Sequence, residues 1–430
     1  MAVLLNSQFI LFIMGQLFQS LQILNENGLQ NQATDILIDN GIIVAIGQNL
    51  SSDGHEVVNA KNWIVSLGWK DCFTVCRVPG SEHKDTLTSL VKSAHLGGYT
   101  ELLLVSGGAT ALDSAVKVEF IVQNFKNQSL KIHPSGTISY KQEGKEITEM
   151  YDMFLSGAKF FTDGIQHLKN PELLKRALLY TQTFDSKLMV YSEDSYMSEN
   201  GMVNEGEVSA VLGMKTRPAL AEEIAVIRNI YIAEYTNRAV HLSGISSAKS
   251  VEIIREAKQK GIKVTADVSI ANLYCTDEVL KDFDTIYKVL PVLRTAKDNV
   301  ALWQGVLDGT IDLVASHHTP QDIESKDCEF DVADFGSSNL EFTAAALWKI
   351  CNGNTAKFYD LLYTKPTQFL NQPIQKLEVG AAANLSFFTI ENQNIQSTAL
   401  KGPSKSSVFL NETLPLTIKG VCVEGKFIAN

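Results

Sequence analysis

Trp63-Ile64-Val65-Ser66-Leu67-Gly68-Trp69-Lys70-Asp71-Cys72-Phe73-Thr74-Val75-Cys76-Arg77-Val78-Pro79-Gly80 is an apolar run that ends on a Pro-Gly turn. It reads as a buried strand, Trp63–Leu67, delivered to a loop at residues 71–80. Strands of a (β/α)8 barrel finish this way at the rim where sites are built.

Working outward, strand-like runs recur at Glu101–Val105, Lys131–Ser139, Lys159–Phe161, Lys187–Tyr191, Ala239–Ser243, Lys263–Val268 and Asp312–Ala315. Each is short and rich in Val, Ile, Leu or Phe, as strands covered on both faces should be. Helical spacing of apolar residues fills the intervals. Leu87–Leu96 is stopped by Gly97-Gly98, and Ser247–Lys260 by Gly261, which is how helices commonly end. Eight strand–helix units across about 280 residues predict an α/β chain with a TIM-type barrel at residues 63–374. A doubly wound open sheet is the rival architecture, but no GxGxxG loop opens a helix.

The two ends carry a different pattern. Residues 33–47 hold two β-branched runs around Asp39-Asn40-Gly41, a hairpin signal because such turns need positive φ. Strand-rich segments return at 384–389 and 418–428. A small β-sandwich domain assembled from residues 18–62 and 375–430 is the expectation. Residues 1–17 are set apart as an N-terminal extension of uncertain order. Their run Phe9–Met14 is apolar, yet the first Lys or Arg is Lys61, so neither a signal nor a transit peptide fits. Six residues are also too few to span a bilayer, which takes about 20.

The 430 residues are 45 % hydrophobic and 20 % charged, the balance of a globular protein. A formal charge of −11 argues against nucleic acid or an anionic membrane as partner. The six cysteines show no CxxC pair. Cys72 and Cys76 are expected on one face of a strand, and reduced thiols in a cytoplasm are the plain reading.

Three further stretches carry a family resemblance. Tyr287-Lys288-Val289-Leu290-Pro291-Val292-Leu293-Arg294 resembles the Tyr-Lys-Val-Asn-Pro-Pro-Leu-Arg of dihydroorotases, members of the cyclic amidohydrolases. Asn204–Ser209 and Phe335–Glu341 also match that family. The resemblance runs from about Phe18 to the C-terminus and is closest to dihydroorotases of multifunctional or complex-forming enzymes. It implies a metal-dependent hydrolase barrel acting in pyrimidine biosynthesis.

The same resemblance marks what is missing. The family's first strand reads Asp-x-His-x-His-x-Arg-x-Pro-Gly, with both histidines on zinc; Phe73 and Val75 stand there, and neither can donate a lone pair. The other metal positions carry Tyr191 and Gly244, and His317 stands at the place of the catalytic aspartate. Arg77 keeps the family's carboxylate-holding arginine, whose planar fork suits that task. Gly107 replaces an asparagine after strand two, Leu290 another, and Gln321 a substrate-contacting histidine. Asp163 matches a bridging aspartate, with a loop cap as its ordinary role. His241 is expected to be a hydrogen-bonded core residue. His317 and His318 are adjacent, so on a regular strand they point apart and cannot clamp one ion together.

Metal lowers the pKa of bound water from about 15.7 to about 7, worth on the order of 12 kcal/mol. One arginine cannot supply that. The chain therefore reads first as a catalytically inactive dihydroorotase-like protein that binds no metal cofactor. Its expected place is in a homo-oligomer or beside a partner such as aspartate transcarbamoylase, as inactive dihydroorotase-like subunits do. The alternatives are an active zinc-dependent dihydroorotase and a binding protein for a small carboxylate held by Arg77.

Overall fold

The computed structural model describes residues 15–184 and 186–430, so the apolar run Phe9–Met14 lies outside it. The strand Gln16–Asn25 organises the sheet domain. Its first half pairs antiparallel with Thr34–Asp39 and parallel with Glu56–Asn59; its second half pairs parallel with Ile64–Leu67. The change of partner falls at Ser20, whose φ is 65° and whose N–H is held by the Asp35 carboxylate at 2.9 Å. Beyond Ile64–Leu67 the sheet continues through Leu385–Thr389, Thr417–Val423 and Lys426–Ala429. Phe18 of the first half stacks on Phe387 of the second at 4.7 Å, with Phe427 edge-on. The two halves thus share one aromatic core, built from both ends of the chain. The hairpin forms as predicted, Thr34–Asp39 against Ile42–Gly47, with Asn40 and Gly41 at φ 48° and 82°.

Two boundaries differ from the sequence reading. Gln16 and Leu17 already belong to the sheet domain. Ile64–Leu67, expected as the first barrel strand, is instead a strand of that sheet. Gly68 makes the handover, its N–H bonded to Asn384 O at 2.8 Å. A Cβ there would lie 2.2 Å from the Thr100 hydroxyl, so a larger residue would collide with the second barrel strand.

The barrel proper runs Trp69–Cys76, Tyr99–Ser106, Lys131–Gly136, Phe160–Phe161, Lys187–Tyr191, Val240–Ser243, Val264–Ser269 and Leu313–Ala315. These strands are parallel and neighbour one another in chain order. The circle closes where Val75 N–H meets His318 O at 2.9 Å. Asp71 reinforces that seam: it accepts Ser316 N–H at 2.7 Å, the Ser316 hydroxyl at 2.8 Å and the Thr74 hydroxyl at 2.6 Å. Leu87–Leu96 and Ala248–Gln259 form the helices read from the sequence, capped by Thr86 and Ser247.

Alternate residues of each strand face inward. Phe73, Val75, Leu103, Val105, Phe160, Met189, Leu313 and Ala315 fill the barrel, with Phe369 and Leu370 from the C-terminal side of the barrel segment. Cys72 joins this inner cluster while Cys76 packs in the outer core. The expectation of one shared face fails because the register shifts between Asp71 and Thr74. No helix among the described residues is long and apolar enough to cross a membrane.

Asp71→Ala leaves Ser316 N–H and two buried hydroxyls without their acceptor. We expect a loss of about 2–4 kcal/mol of stability, read as a lowered urea midpoint; an unchanged midpoint would remove the seam from the account of barrel closure.

Candidate functional site

The rim of the barrel divides into an apolar and a polar wall. On strands one and two, Val75 and Leu103 line the interior beside Phe73. On strands six and seven, His241, Ser243 and Asp267 are polar and fully buried. Asp267 is the centre of that wall. Its carboxylate accepts from His241 Nε2 at 2.8 Å, the Ser243 hydroxyl at 2.7 Å, Gly244 N–H at 2.8 Å and His317 Nε2 at 2.6 Å. Burial opposes ionisation of Asp267, yet the two imidazoles outweigh it and hold the carboxyl well below the usual carboxylate range. Nothing in the sequence reading singled out Asp267. The signal was present as an aspartate inside a buried strand, where an unpaired carboxylate would be very costly.

The positions expected to have lost metal donors are physically filled. Phe73 lies flat on the His317 ring, 4.1 Å between centroids and 8° between planes. Val75 occupies the space beside Gly107, whose added Cβ would sit 2.2 Å from Val75 Cγ1. At Gly244, φ is 70° and a Cβ would meet Pro291 Cγ at 2.9 Å, so no histidine fits there without moving the loop. Tyr191 is buried, and burial raises its hydroxyl pKa well above the ordinary value. Among the described residues, no group of three or more His, Cys, Asp and Glu side chains is placed to hold a metal. His241 and His317 come close to one, but each spends its Nε2 on an Asp267 oxygen, and His241 Nδ1 meets the Thr265 hydroxyl at 2.9 Å. A zinc site does not fit this set.

His317 takes a left-handed backbone, φ 45°, which turns its ring inward. His318 faces the other way, accepting Leu340 N–H at 3.3 Å and lying 3.9 Å from Asp85. The other expected pocket residues scatter. Arg77 donates to Pro320 O at 3.0 Å and Gly107 O at 2.7 Å, leaving Nη2 buried without a partner. Asp163 is a cap: it accepts Ile138 N–H, Ser139 N–H and the Ser139 hydroxyl, at 2.9, 3.0 and 2.5 Å. Burial, stronger than those three bonds, pushes its carboxyl up to about 6.

Leu290 and Gln321 do border the mouth. A cavity of 10 Å³, room for about one water, lies against His317, Ser269 and Asn339. A cleft of 390 Å³ lies nearby, bordered by His167, Glu193, Arg217 and Gln321. Ile165, Leu290 and Phe335 border both spaces, so apolar side chains stand between the cleft and His317. In the cleft Arg217 pairs with Glu193 at 2.5 Å and lies over the Phe335 ring at 5.1 Å. Burial, with Arg228 beside it, lowers His167 to about 4. Gln321 donates to Phe335 O at 2.5 Å and keeps its Oε1 unpartnered. Arg217, Glu193 and His167 were not assigned roles from the sequence, because residues from separate loops converge there.

The stretches that carried the resemblance do other work. Arg294 donates to Asn204 Oδ1 at 2.9 Å, to the Ser246 hydroxyl at 3.1 Å and to Arg217 O at 2.7 Å. Asn339 donates to Ser316 O at 3.1 Å, and Ser93 to Glu341 at 2.7 Å. They brace the rim.

Residues 67–250 match a family profile described as "Dihydro-orotase-like". A protein named "Dihydroorotase" from Ruminiclostridium cellulolyticum is 33% identical over 386 residues, 88% of this chain and 90% of that one. The chain belongs to the dihydroorotase-like family. A second relative of that name, from Acetivibrio thermocellus, is 32% identical over 410 residues, covering 94% of this chain and 95% of its own. Among solved structures, the dihydropyrimidinase from Brevibacillus agri superposes with a TM-score of 0.80 at 18% identity, covering 97% of this chain and 95% of that one. The L-hydantoinase from Arthrobacter aurescens gives 0.81 at 18% identity, covering 97% and 96%. These two likenesses show a shared fold, a barrel with a companion sheet domain.

The depressed Asp267 carboxyl fixes a sign. A carboxyl whose folded pKa lies below its unfolded value of about 3.9 contributes stability above that pH and loses it as pH falls. Between pH 7 and pH 3 the wild type should therefore lose more unfolding free energy than Asp267→Asn. Parallel urea-derived curves for the two proteins would contradict the assignment.

Proposed function

We propose that this chain is a dihydroorotase-family barrel that does not carry out metal-assisted ring hydrolysis and acts instead as a structural or regulatory subunit. One observation carries the reading: Phe73 is stacked on the His317 ring, and His241 and His317 both spend Nε2 on Asp267, which leaves His317 Nδ1 as the one unpartnered ring nitrogen of the two. Water activation by a bound ion contributes on the order of 12 kcal/mol. The remaining cations at the rim do not replace it, since Arg77 is turned onto backbone carbonyls and Arg217 is paired with Glu193. The pattern of retention supports the same view. Arg294, Asn204, Asn339 and Glu341, which brace the rim, are kept, while the donor positions carry Phe, Val, Tyr and Gly. Aspartate transcarbamoylase is the partner we infer, from the family resemblance of the sequence.

The comparisons taken by themselves favour a second reading, an active cyclic amidohydrolase, because the relatives at 32–33% identity over about nine-tenths of the chain are named "Dihydroorotase". That reading requires a metal held by a rearranged rim. A third, carboxylate binding through Arg77, has one spare donor to rest on, Nη2.

Elemental analysis combined with a carbamoyl-aspartate cyclisation assay separates the readings. We expect zinc well below one equivalent and no turnover above the uncatalysed rate, even after incubation with zinc. Stoichiometric zinc with turnover would establish the active enzyme. A thermal shift with dihydroorotate or carbamoyl-aspartate, lost in Arg77→Ala, would favour carboxylate binding.

A further inference from the structure

A (β/α)8 barrel builds its reactive sites at the C-terminal ends of the strands, and side chains at the opposite end ordinarily serve stability. Here the opposite end is charged. Lys70, Glu101 and Lys131 are register partners on strands one, two and three, so they stand in one row across the floor of the barrel. One Glu101 oxygen lies 3.4 Å from Lys70 Nζ. The other lies 3.4 Å from Lys131 Nζ, 2.9 Å from His133 Nε2 and 2.7 Å from Gln372 Nε2. Gln372 Oε1 accepts from Lys70, and Lys187 of strand five bonds to Phe369 O.

This row holds more positive charge than its carboxylate balances. The Lys70 and Glu101 side chains are 6 and 10 % exposed, a depth at which each charge needs a partner. Burial opposes ionisation of Glu101, yet His133, Lys70, Gln372 and Lys131 outweigh it and hold the carboxyl down to about 2. For Lys70 burial prevails: its ammonium is lowered from the ordinary value even with Glu101 beside it. A cavity of 170 Å³ opens against the row, lined by Lys70, Thr100, Lys131, Tyr363, Gln372 and Gln375. Among the described residues Glu101 is the one acidic side chain on its wall. Lys131, 58 % exposed, stands where the row meets solvent.

We propose that this cavity binds a small tetrahedral oxyanion of the inorganic phosphate class, held between Lys70 and Lys131. Two observations select that class. Planar carboxylates are matched by the fork of an arginine, and among the described residues no arginine lines the cavity. Ammonium groups are point charges, suited to a compact anion with oxygens on every side. The volume is also below the roughly 300–1,000 Å³ of pockets that take drug-sized ligands, which excludes burial of a whole nucleotide. Leu67 and Asn384 of the sheet domain border the same space, so a bound anion would tie that domain to the barrel floor. The site is independent of whether the rim is catalytic.

Titration calorimetry of the full chain with inorganic phosphate, at an ionic strength held constant with chloride, should show one site with Kd of about 1 mM or below. Lys131→Gln should weaken binding about tenfold or more. Lys249→Gln removes the same charge at an equally exposed lysine, 58 %, on the outer helix Ala248–Gln259, and should leave the affinity unchanged. Glu101→Gln removes the competing carboxylate and should tighten binding about tenfold, a change that a purely structural Glu101 would not produce. Sulfate should compete with phosphate and acetate should not. No heat at about 20 mM phosphate, or an unchanged affinity in Lys131→Gln, overturns the proposal. So does equal weakening in the two lysine variants, which assigns the effect to net charge, or weaker binding in a folded Glu101→Gln. Acetate competing as well as sulfate overturns the tetrahedral class, and glycerol phosphate binding far tighter than phosphate assigns the cavity to a phosphomonoester instead. If Glu101→Gln loses its circular dichroism spectrum, the two lysine variants decide.

Discussion

A barrel that buries histidines must give their nitrogens something to bind, and here the Asp267 carboxylate does so. It accepts hydrogen bonds from His241, His317, Ser243 and Gly244. In a low-dielectric interior such a cluster depends on its partners, because an unpaired polar group there is costly; His317 Nδ1 is the one ring nitrogen of the pair left without a partner. Much of the rim follows from it. His317 adopts a left-handed backbone to reach Asp267, its ring then offers a flat face, and Phe73 stacks on that face. With Phe73 seated, the first strand presents an apolar wall, and Leu290, Ile165 and Phe335 separate the outer cleft from the inner cavity.

The lower and outer parts of the molecule are arranged to keep that rim rigid. Asp71 ties strand one to Ser316. Arg294 ties the segment after strand seven to Asn204 and Ser246, and Asn339 ties the last long loop to strand eight. Asp71, Asn204, Ser246, Arg294 and Asn339 lie in stretches by which the chain resembles its family, and each makes a hydrogen bond that braces the rim.

Much of the fold was legible in the sequence where local rules decide. Leu87–Leu96 and Lys187–Tyr191 fall where periodicity and stop signals placed them, and the Asp39-Asn40-Gly41 turn forms as its residues require. Trp63–Leu67 was assigned to the wrong sheet because two buried strands separated by a single glycine look alike in composition. The role of Gly68 as a joint is set by Thr100 and Asn384, which are remote in sequence. Cys72 and Cys76 were placed on one face because a bulge between Asp71 and Thr74 leaves no local signature.

The sequence by itself determined the barrel and its companion sheet, since hydrophobic period and turn chemistry are local. It also determined which donor types stand at the strand ends, since a phenylalanine or valine has no lone pair in any fold. Tertiary structure alone decided how those ends are satisfied. The pairing of His317 with Asp267, 50 residues away, the bonding of Arg77 to backbone carbonyls and the gathering of Arg217, Glu193 and Gln321 around one cleft all depend on chain closure. Closure brings remote residues within hydrogen-bond distance, and no local pattern encodes which of them will meet.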